Sequence, residues 1–524
     1  ILITTKKGKA GMQKVTFSSN LTVDHAISLP EFQNSYGRME GGTSSWGKEG
    51  NLTDYNNVDN FFSNGVTAIN TVSFMGGNDK SQTYFSYANT TAKGIIDSNK
   101  LQKHNLTFRE TASFFNDRLK LDGNVNLMTQ TIKNSPSSGG YYLNPLVNIY
   151  GFPRGMDMAP YRDNFELYDA DRNMNLQNWY VTNEDGSISE WDQNPYWIKN
   201  RVTNRNKRYR AMASLTANVK VNSWFTLQAR GNVDFVSDKF ENKMYASTSP
   251  NIAGTYDGLM NGRYVWSDSQ NFQVYGDLMA MFNKTFNKFS INGAVGTSIN
   301  ATTANSLMID SKLASLYHPN VFTVPNVVST SKAAISHTID SKRTIQSVFA
   351  TAQLGWDEML YLDLTARNDW SSTLANTNSK NSGFFYPSVG LTWILSKTLK
   401  MPDWISFSKI RGSWAQVGND LPIGITSLAD IVQAGGAIQV NDREHRGDLK
   451  PEISTSFEVG TEWRFFNSRL GIDFTWYQTD TKNQLLMMPN PAGSLYAYRY
   501  INAGKIRNKG FELTVCLLYT SDAA

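Results

Sequence analysis

The residues best equipped for chemistry lie outside the hydrophobic stretches, and they are scattered. Asn441-Asp442-Arg443-Glu444-His445-Arg446-Gly447-Asp448 gathers charge around one imidazole, the make-up of a solvated loop or of an ion or ligand contact. Asp163, Glu166, Asp169 and Asp171 bring carboxylates together, as a calcium site would need, but without Asp-x-Asp-x-Asp-Gly spacing. Gly412-Ser413 opens like a nucleophile elbow, yet residue 415 is Ala where that turn requires Gly. Gly139-Gly140 and Gly435-Gly436 precede no helical pattern, so they punctuate loops and cradle no phosphate. The single cysteine, Cys516, excludes an internal disulfide, and the five histidines form no ligand set. No catalytic residue, cofactor or metal is therefore expected, and the chain is not expected to be an enzyme. What remains is binding. Segment 134–203 carries Tyr141, Tyr142, Tyr150, Phe152, Tyr161, Phe165, Tyr168, Trp179, Tyr180, Trp191, Tyr196 and Trp197. So many rings would not stay bare in water; they pack into an ordered cap, meet a partner or stack on a ligand. Tyr141, Tyr142, Trp179, Tyr180, Trp191 and Trp197 are the candidate contacts.

The elements that must position such a cap are strands. From Phe225 to Phe235, apolar or small residues (Phe225, Leu227, Ala229, Gly231, Val233, Phe235) alternate with polar ones (Thr226, Gln228, Arg230, Asn232, Asp234). The period is two over about eleven residues, longer than the usual soluble strand, and fits a tilted bilayer span. Similar segments recur at Gln13–Thr22, Asn70–Met75, Gln82–Ala92, His104–Ser113, Leu119–Met128, Met212–Val219, Phe272–Phe286, Phe289–Ile299, Val348–Trp356, Met359–Arg367, Ser388–Leu395, Ile405–Ala415, Ile453–Phe466, Leu470–Tyr477 and Phe511–Val515. Short Asn-, Asp- and Gly-containing turns join them in pairs. Between the pairs lie the long segments 23–69, 129–210, 239–271, 300–344, 368–387 and 416–452. Regular short–long alternation over about sixteen strands predicts an all-β chain, a transmembrane antiparallel β-barrel with short periplasmic turns and long outer loops.

Bulk composition agrees. Hydrophobic residues are 40% and mean hydropathy is −0.41, with no apolar run long enough for a membrane helix. Aromatics at 12% suit interfacial girdles. A net charge of +5 without a basic block implies no nucleic-acid partner. Ile1 opens directly on an apolar strand without a signal sequence, so an exported chain is expected to extend upstream. From Cys516 to Ala524 the alternation fades, and residues 516–524 are expected to be a non-native read-through tail.

Several motifs, in order, resemble the SusC/RagA-like TonB-dependent transporters of the Gram-negative outer membrane. Ile1-Leu2-Ile3-Thr4-Thr5-Lys6-Lys7-Gly8-Lys9 looks like the end of their plug domain, and Phe74-Met75-Gly76-Gly77-Asn78-Asp79-Lys80 like their first tight turn. Leu364-Thr365-Ala366-Arg367-Asn368-Asp369-Trp370-Ser371-Ser372, Phe384-Phe385-Tyr386-Pro387-Ser388 and Arg411-Gly412-Ser413-Trp414-Ala415-Gln416-Val417-Gly418-Asn419 are similar to successive barrel motifs. Leu449-Lys450-Pro451-Glu452 and Asn508-Lys509-Gly510-Phe511-Glu512-Leu513 follow the late-barrel pattern.

The resemblance implies a plugged barrel of 22 strands, incomplete here: residues 1–9 ending the plug, 10–515 forming part of the barrel. It implies an outer-membrane location and TonB-dependent import of oligosaccharides or oligopeptides. Its implied partners are a SusD-like surface lipoprotein acting as a lid, TonB with ExbB and ExbD, and membrane lipid. Arg367, Asp369 and Arg411 are then expected on the lumen side, facing the plug, and the six candidate rings suit contact with substrate or lid as well as packing within the cap. A passive porin and a surface adhesion barrel are the competing readings; a plug upstream separates the first from a gated transporter.

Overall fold

The computed structural model describes residues 6–137, 143–183, 188–189, 191–248, 261–311, 316–328, 334–381, 383–426, 431–434, 437–440 and 442–517. One antiparallel sheet of sixteen strands, in sequential order, forms the wall. Its first half comprises β1 (Met12–Asp24), β2 (Gly65–Gly77), β3 (Ser81–Lys93), β4 (Lys100–Phe114), β5 (Leu119–Lys133), β6 (Val202–Lys220), β7 (Phe225–Met244) and β8 (Arg263–Phe286). The second comprises β9 (Phe289–Asp310), β10 (Ile335–Trp356), β11 (Leu360–Ser371), β12 (Phe384–Ile394), β13 (Ile405–Asn419), β14 (Glu452–Phe465), β15 (Leu470–Lys482) and β16 (Lys505–Leu517). All sixteen correspond to alternating segments seen in the sequence.

The register keeps one face of this wall apolar. Leu227 lies opposite Val219 on β6 and Ala280 on β8; Ala280 lies opposite Val295, and Val295 opposite Ala350. Leu278 on this face is 61% exposed, which in a membrane means exposed to lipid rather than to water. At the short-turn end the same side carries ring stacks. Trp224, Phe225 and Phe282 meet with centroids 5.0 to 6.3 Å apart, and Trp404 stacks on Phe465 at 5.6 Å. Rings at that height form an interfacial girdle. The turns there are tight. Asn287-Lys288 joins β8 to β9 with Asn287 at φ 52°, a conformation asparagine tolerates better than most residues.

Several strands outrun the expected lengths. β7 continues from Phe235 to Met244, β8 spans 24 residues, and β9 and β10 span 22 each. At about 3.3 Å per residue and ~40° tilt, 24 residues rise roughly 60 Å, against an apolar band of ~25 Å. The upper halves therefore stand in water, where polar residues occupy both faces: Ser237, Asp238, Lys239, Glu241, Asn242 and Lys243 follow Phe235, with only Val236 and Phe240 apolar among them. The long connections shrink accordingly to 25–64, 134–201, 245–262, 311–334, 372–383 and 420–451, and 483–504 joins them at the same end. That last segment holds Leu485–Pro489 and Tyr498–Asn502, which with Arg443–Glu444 form a small sheet absent from the sequence expectations.

β16 runs through Cys516 and Leu517, which pair with Gly471 and Leu470; residues 518–524 lie outside the described residues. β1 and β16 are the two edges of the sheet, and both are exposed on each face along most of their length.

Candidate functional site: a ring-packed cap above a charge-paired lumen

Two loops build the cap. Segment 134–201 contains the short helices α1 (Pro145–Gly151) and α2 (Pro195–Arg201), each opened by an Asn-Pro pair. The Asn144 side chain accepts from the Leu146 N–H at 3.1 Å, and Asn194 from the Tyr196 N–H at 2.8 Å. Asparagine at the cap with proline at the first helical position is the combination that starts helices most readily. Between them, Phe152, Tyr161, Trp179 and Tyr180 form a cluster of rings with centroids 5.0 to 6.4 Å apart. Loop 25–64 closes over them: Val58 and Phe61 join the core, Phe61 meets Tyr196 edge-on at 5.5 Å, and Arg38 lies over the Tyr180 ring.

A buried polar knot fastens this core to the next loop. Gln177, Gln193 and Asn194 are buried. The Gln177 amide donates to Gln193 Oε1 at 3.0 Å and to the Ser247 carbonyl, while its own Oε1 accepts from the Asn194 N–H. The Trp197 indole donates to Thr248 Oγ1 at 2.9 Å. Buried amides are costly unless satisfied, so this closed set fixes one arrangement of the loops.

The candidate rings thus separate. Trp179 and Trp197 are 3% and 1% exposed and have no free face. Tyr180 is half-buried among rings. Trp191 is 52% exposed. Tyr141 and Tyr142 lie outside the described residues. Three of the four clustered carboxylates are held by arginines: Glu166 by Arg201 at 2.5 Å, Asp169 by Arg172 at 2.6 Å and Asp163 by Arg162 at 2.8 Å.

Burial pushes the phenols of Tyr180 and Tyr196 up to about 12. An unfolded tyrosine ionises near pH 10. The folded cap favours the protonated form, so this contribution is complete below pH ~10 and is lost as pH rises towards 12. In alkaline titration followed by tyrosinate absorbance, Tyr180 and Tyr196 should ionise late and together with protease sensitivity of the cap. Single Tyr→Phe variants assign the signals, and ionisation at the ordinary pH would contradict the burial.

Below the cap, the polar face of the wall is a lattice of Arg–Asp pairs. Arg210 holds Asp234 at 2.5 Å, Arg208 holds Asp238 at 2.7 Å, and Arg230 reaches the fully covered Asp277 at 2.7 Å. A covered carboxylate such as Asp277 would be strongly destabilising without a partner, and Arg230 on the adjacent strand supplies it. Arg367 donates to Asp369 at 2.8 Å and to Ser347 Oγ at 2.7 Å; Tyr386, unanticipated from sequence, donates to the same Asp369. Arg411 forks onto Asp473 at 2.8 and 3.1 Å and onto Thr475 Oγ1 at 2.7 Å. It crosses directly over Gly460, where a Cβ would lie 2.8 Å from its Nε, so the glycine makes room for the guanidinium. Arg367, Asp369 and Arg411 all stand on this polar face, but in separate pairings. Residues 6–9 run along the same face: Gly8 is buried against the backbone of Gln82 and Thr83, and Arg109 reaches the Lys6 carbonyl.

The signal for the cap core that sequence reasoning passed over was the repeated Asn-Pro. Nothing local could have revealed the Gln177–Gln193–Asn194 knot, whose partners come from three turns of chain.

Comparison with known proteins bears on this architecture. Residues 136–521 match the family described as TonB dependent receptor-like, beta-barrel. TonB-dependent receptors P3 and P39 of Formosa agariphila are 21% and 23% identical over 98% of this chain. The chain spans 50% and 48% of those two relatives, about half their length. Among solved structures, the RagAB peptide importer in its open-open state superposes with a TM-score of 0.72 at 16% identity, over 99% of this chain and 60% of that one. At that identity the likeness is one of fold, and it embraces the wall from β1 to β16. With the family match running through β6 to β16, the chain belongs to the TonB dependent receptor-like β-barrel family of the outer membrane.

Proposed function

We propose that this chain is the barrel of a TonB-dependent importer that takes up oligosaccharides or oligopeptides together with a SusD-like surface lipoprotein. Support comes first from the family match over residues 136–521. The similarity of the wall to that of the RagAB peptide importer adds to it. In this reading, residues 6–9 end a plug that leaves along the lumen wall beside Gln82 and Arg109. Arg367 and Arg411, half-exposed in their pairs, offer the plug their remaining donors. TonB, driven through ExbB and ExbD, pulls on the plug, and the barrel itself carries out no covalent step. Ligand selection falls to exposed rings at the cap rim, foremost Trp191, while Trp179 and Trp197 hold the cap in shape.

Uptake by whole cells tests the energy coupling. Import should vanish when TonB is deleted and when the proton gradient is collapsed; unchanged uptake in either case would make the barrel a passive pore. Calorimetry of the receptor–lipoprotein complex against glycans and peptides then tests the rim. Trp191→Ala should weaken binding about three- to tenfold, the size of one lost ring contact. Unchanged affinity would remove Trp191 from the ligand path.

A further inference from the structure

On the apolar-facing side of the wall, above the lipid band, four cations stand in one row. Lys93 lies opposite Lys100, Lys100 opposite Lys133, and Lys133 opposite Arg205, across β3 to β6. Like charges directly opposed on neighbouring strands destabilise a sheet, and here three such pairings follow one another. All four side chains are exposed. Their cationic neighbours have partners: Lys207 lies over the Tyr209 ring at 4.7 Å, Lys239 meets Asp268 at 3.6 Å and Lys243 meets Glu241 at 3.2 Å. Lys93, Lys100, Lys133 and Arg205 make no ion pair among the described residues.

The row lines two adjoining grooves. One, of about 480 Å³, is bounded by Lys93, Lys100, Lys133, Gln102, Val66 and Ala68. The other, of about 300 Å³, shares Lys133 and continues to Arg205, Lys243 and Glu241; Glu241 lies opposite Arg205 and is engaged by Lys243.

The rows beneath are graded. Next to the cations come Thr91, Gln102 and Thr131, then Asn89, His104 and Thr129. On β3 to β5 the face turns apolar only below these, with Tyr87, Leu106 and Leu127 and then Phe85, Phe108 and Val125; on β2 it is apolar already at Val66 and Ala68. Six residues of β3 separate Tyr87 from Lys93, about 15 Å of height after allowing for tilt. Lysine and arginine stems reach several ångströms back towards the bilayer.

We propose that this row binds the headgroup of a phosphorylated glycolipid in the outer leaflet. The acyl chains lie on the Tyr87–Leu127 band, the sugar hydroxyls meet the amide and hydroxyl rows, and the phosphate neutralises the four opposed cations. A small inorganic anion would use the cations but neither of the rows beneath them. A protein partner would have no use for a face that passes without a break into the lipid band.

The test uses the receptor purified from outer membrane in mild detergent and examined by native mass spectrometry. A phosphorylated glucosamine lipid should be retained through purification. Replacing Lys93, Lys100, Lys133 and Arg205 together by Gln should reduce its retention at least tenfold. Lys288→Gln, at a turn on the far rim, should leave it unchanged. Lys93→Arg with Lys100→Arg and Lys133→Arg should preserve it. On the unaltered receptor in nanodiscs, the same lipid stripped of phosphate should bind at least tenfold more weakly, an arm that needs no variant to fold. Equal retention by the Gln variant, or equal binding of the stripped lipid, would overturn the proposal. Displacement by millimolar inorganic phosphate would reduce the row to a simple anion site. Loss of a co-purifying acidic protein instead of lipid would assign the face to a protein.

Discussion

Trp179→Ala should unfold the cap while leaving the barrel wall intact. Trp179 packs against Phe152, Tyr161 and Tyr180 with centroids 5.0 to 5.4 Å away and shares its core with Val58 and Phe61 from the other loop. Deleting a buried indole typically costs about 3–5 kcal/mol, from lost burial and from the cavity left behind. The cap has little else to draw on: helices of 7 residues are not stable alone, and its core is one cluster. We therefore expect protease cleavage within 25–64 and 134–201 at concentrations that leave the parent untouched. The β-sheet circular dichroism and the heat-dependent gel mobility of the barrel should not change. Trp179→Phe is the control. The Trp179 indole N–H has no acceptor among the described residues, so phenylalanine keeps most of the packing and removes an unpaired donor. A cap equally resistant in the Ala variant would mean that the polar knot around Gln177 suffices without the rings.

The second expected result is all-or-none. Expressed as these 524 residues, the polypeptide should give no closed, heat-modifiable barrel in detergent. Among the described residues, β1 and β16 each have one hydrogen-bonded neighbour in the sixteen-stranded sheet. Each is 13 residues long, so about half of its backbone groups face away from that neighbour. Within hydrocarbon, each unsatisfied group costs several kcal/mol, and two open edges sum to tens of kcal/mol. Edges of that kind recruit other chains, and aggregation is the expected fate. Gel mobility before and after boiling, with conductance in planar bilayers, decides it. A discrete conducting species would show that β1 and β16 can pair with each other and close a smaller ring.

Much of the wall was legible in the order of residues because lipid imposes a strict period. Phe225, Leu227, Val233 and Phe235 must share a face if that face meets hydrocarbon, and a turn as short as Asn287-Lys288 leaves β8 and β9 no choice but to pair. That rule lapses where the strands rise above the membrane. Residues 236–244 have water on both sides, so nothing in their order marks them as strand, although they continue β7 to Met244. The cap was legible only as a need. Its rings announced that something must cover them, and three dimensions decided that Trp179 and Trp197 are covered by the cap itself while Trp191 is not.

The chain by itself thus determined an all-β wall with its long loops at one end, because alternation and turn length are local properties that survive without knowledge of neighbours. Only the tertiary structure decided which distant residues share a row. Lys93, Lys100, Lys133 and Arg205 are unremarkable in sequence, and Arg411 shows no sign of Asp473 or Gly460. Register across strands aligns the four cations and sets the glycine under the guanidinium. Register is fixed by the pairing of whole strands, whose partners are separated by loops as long as 134–201, and no short stretch of sequence carries it.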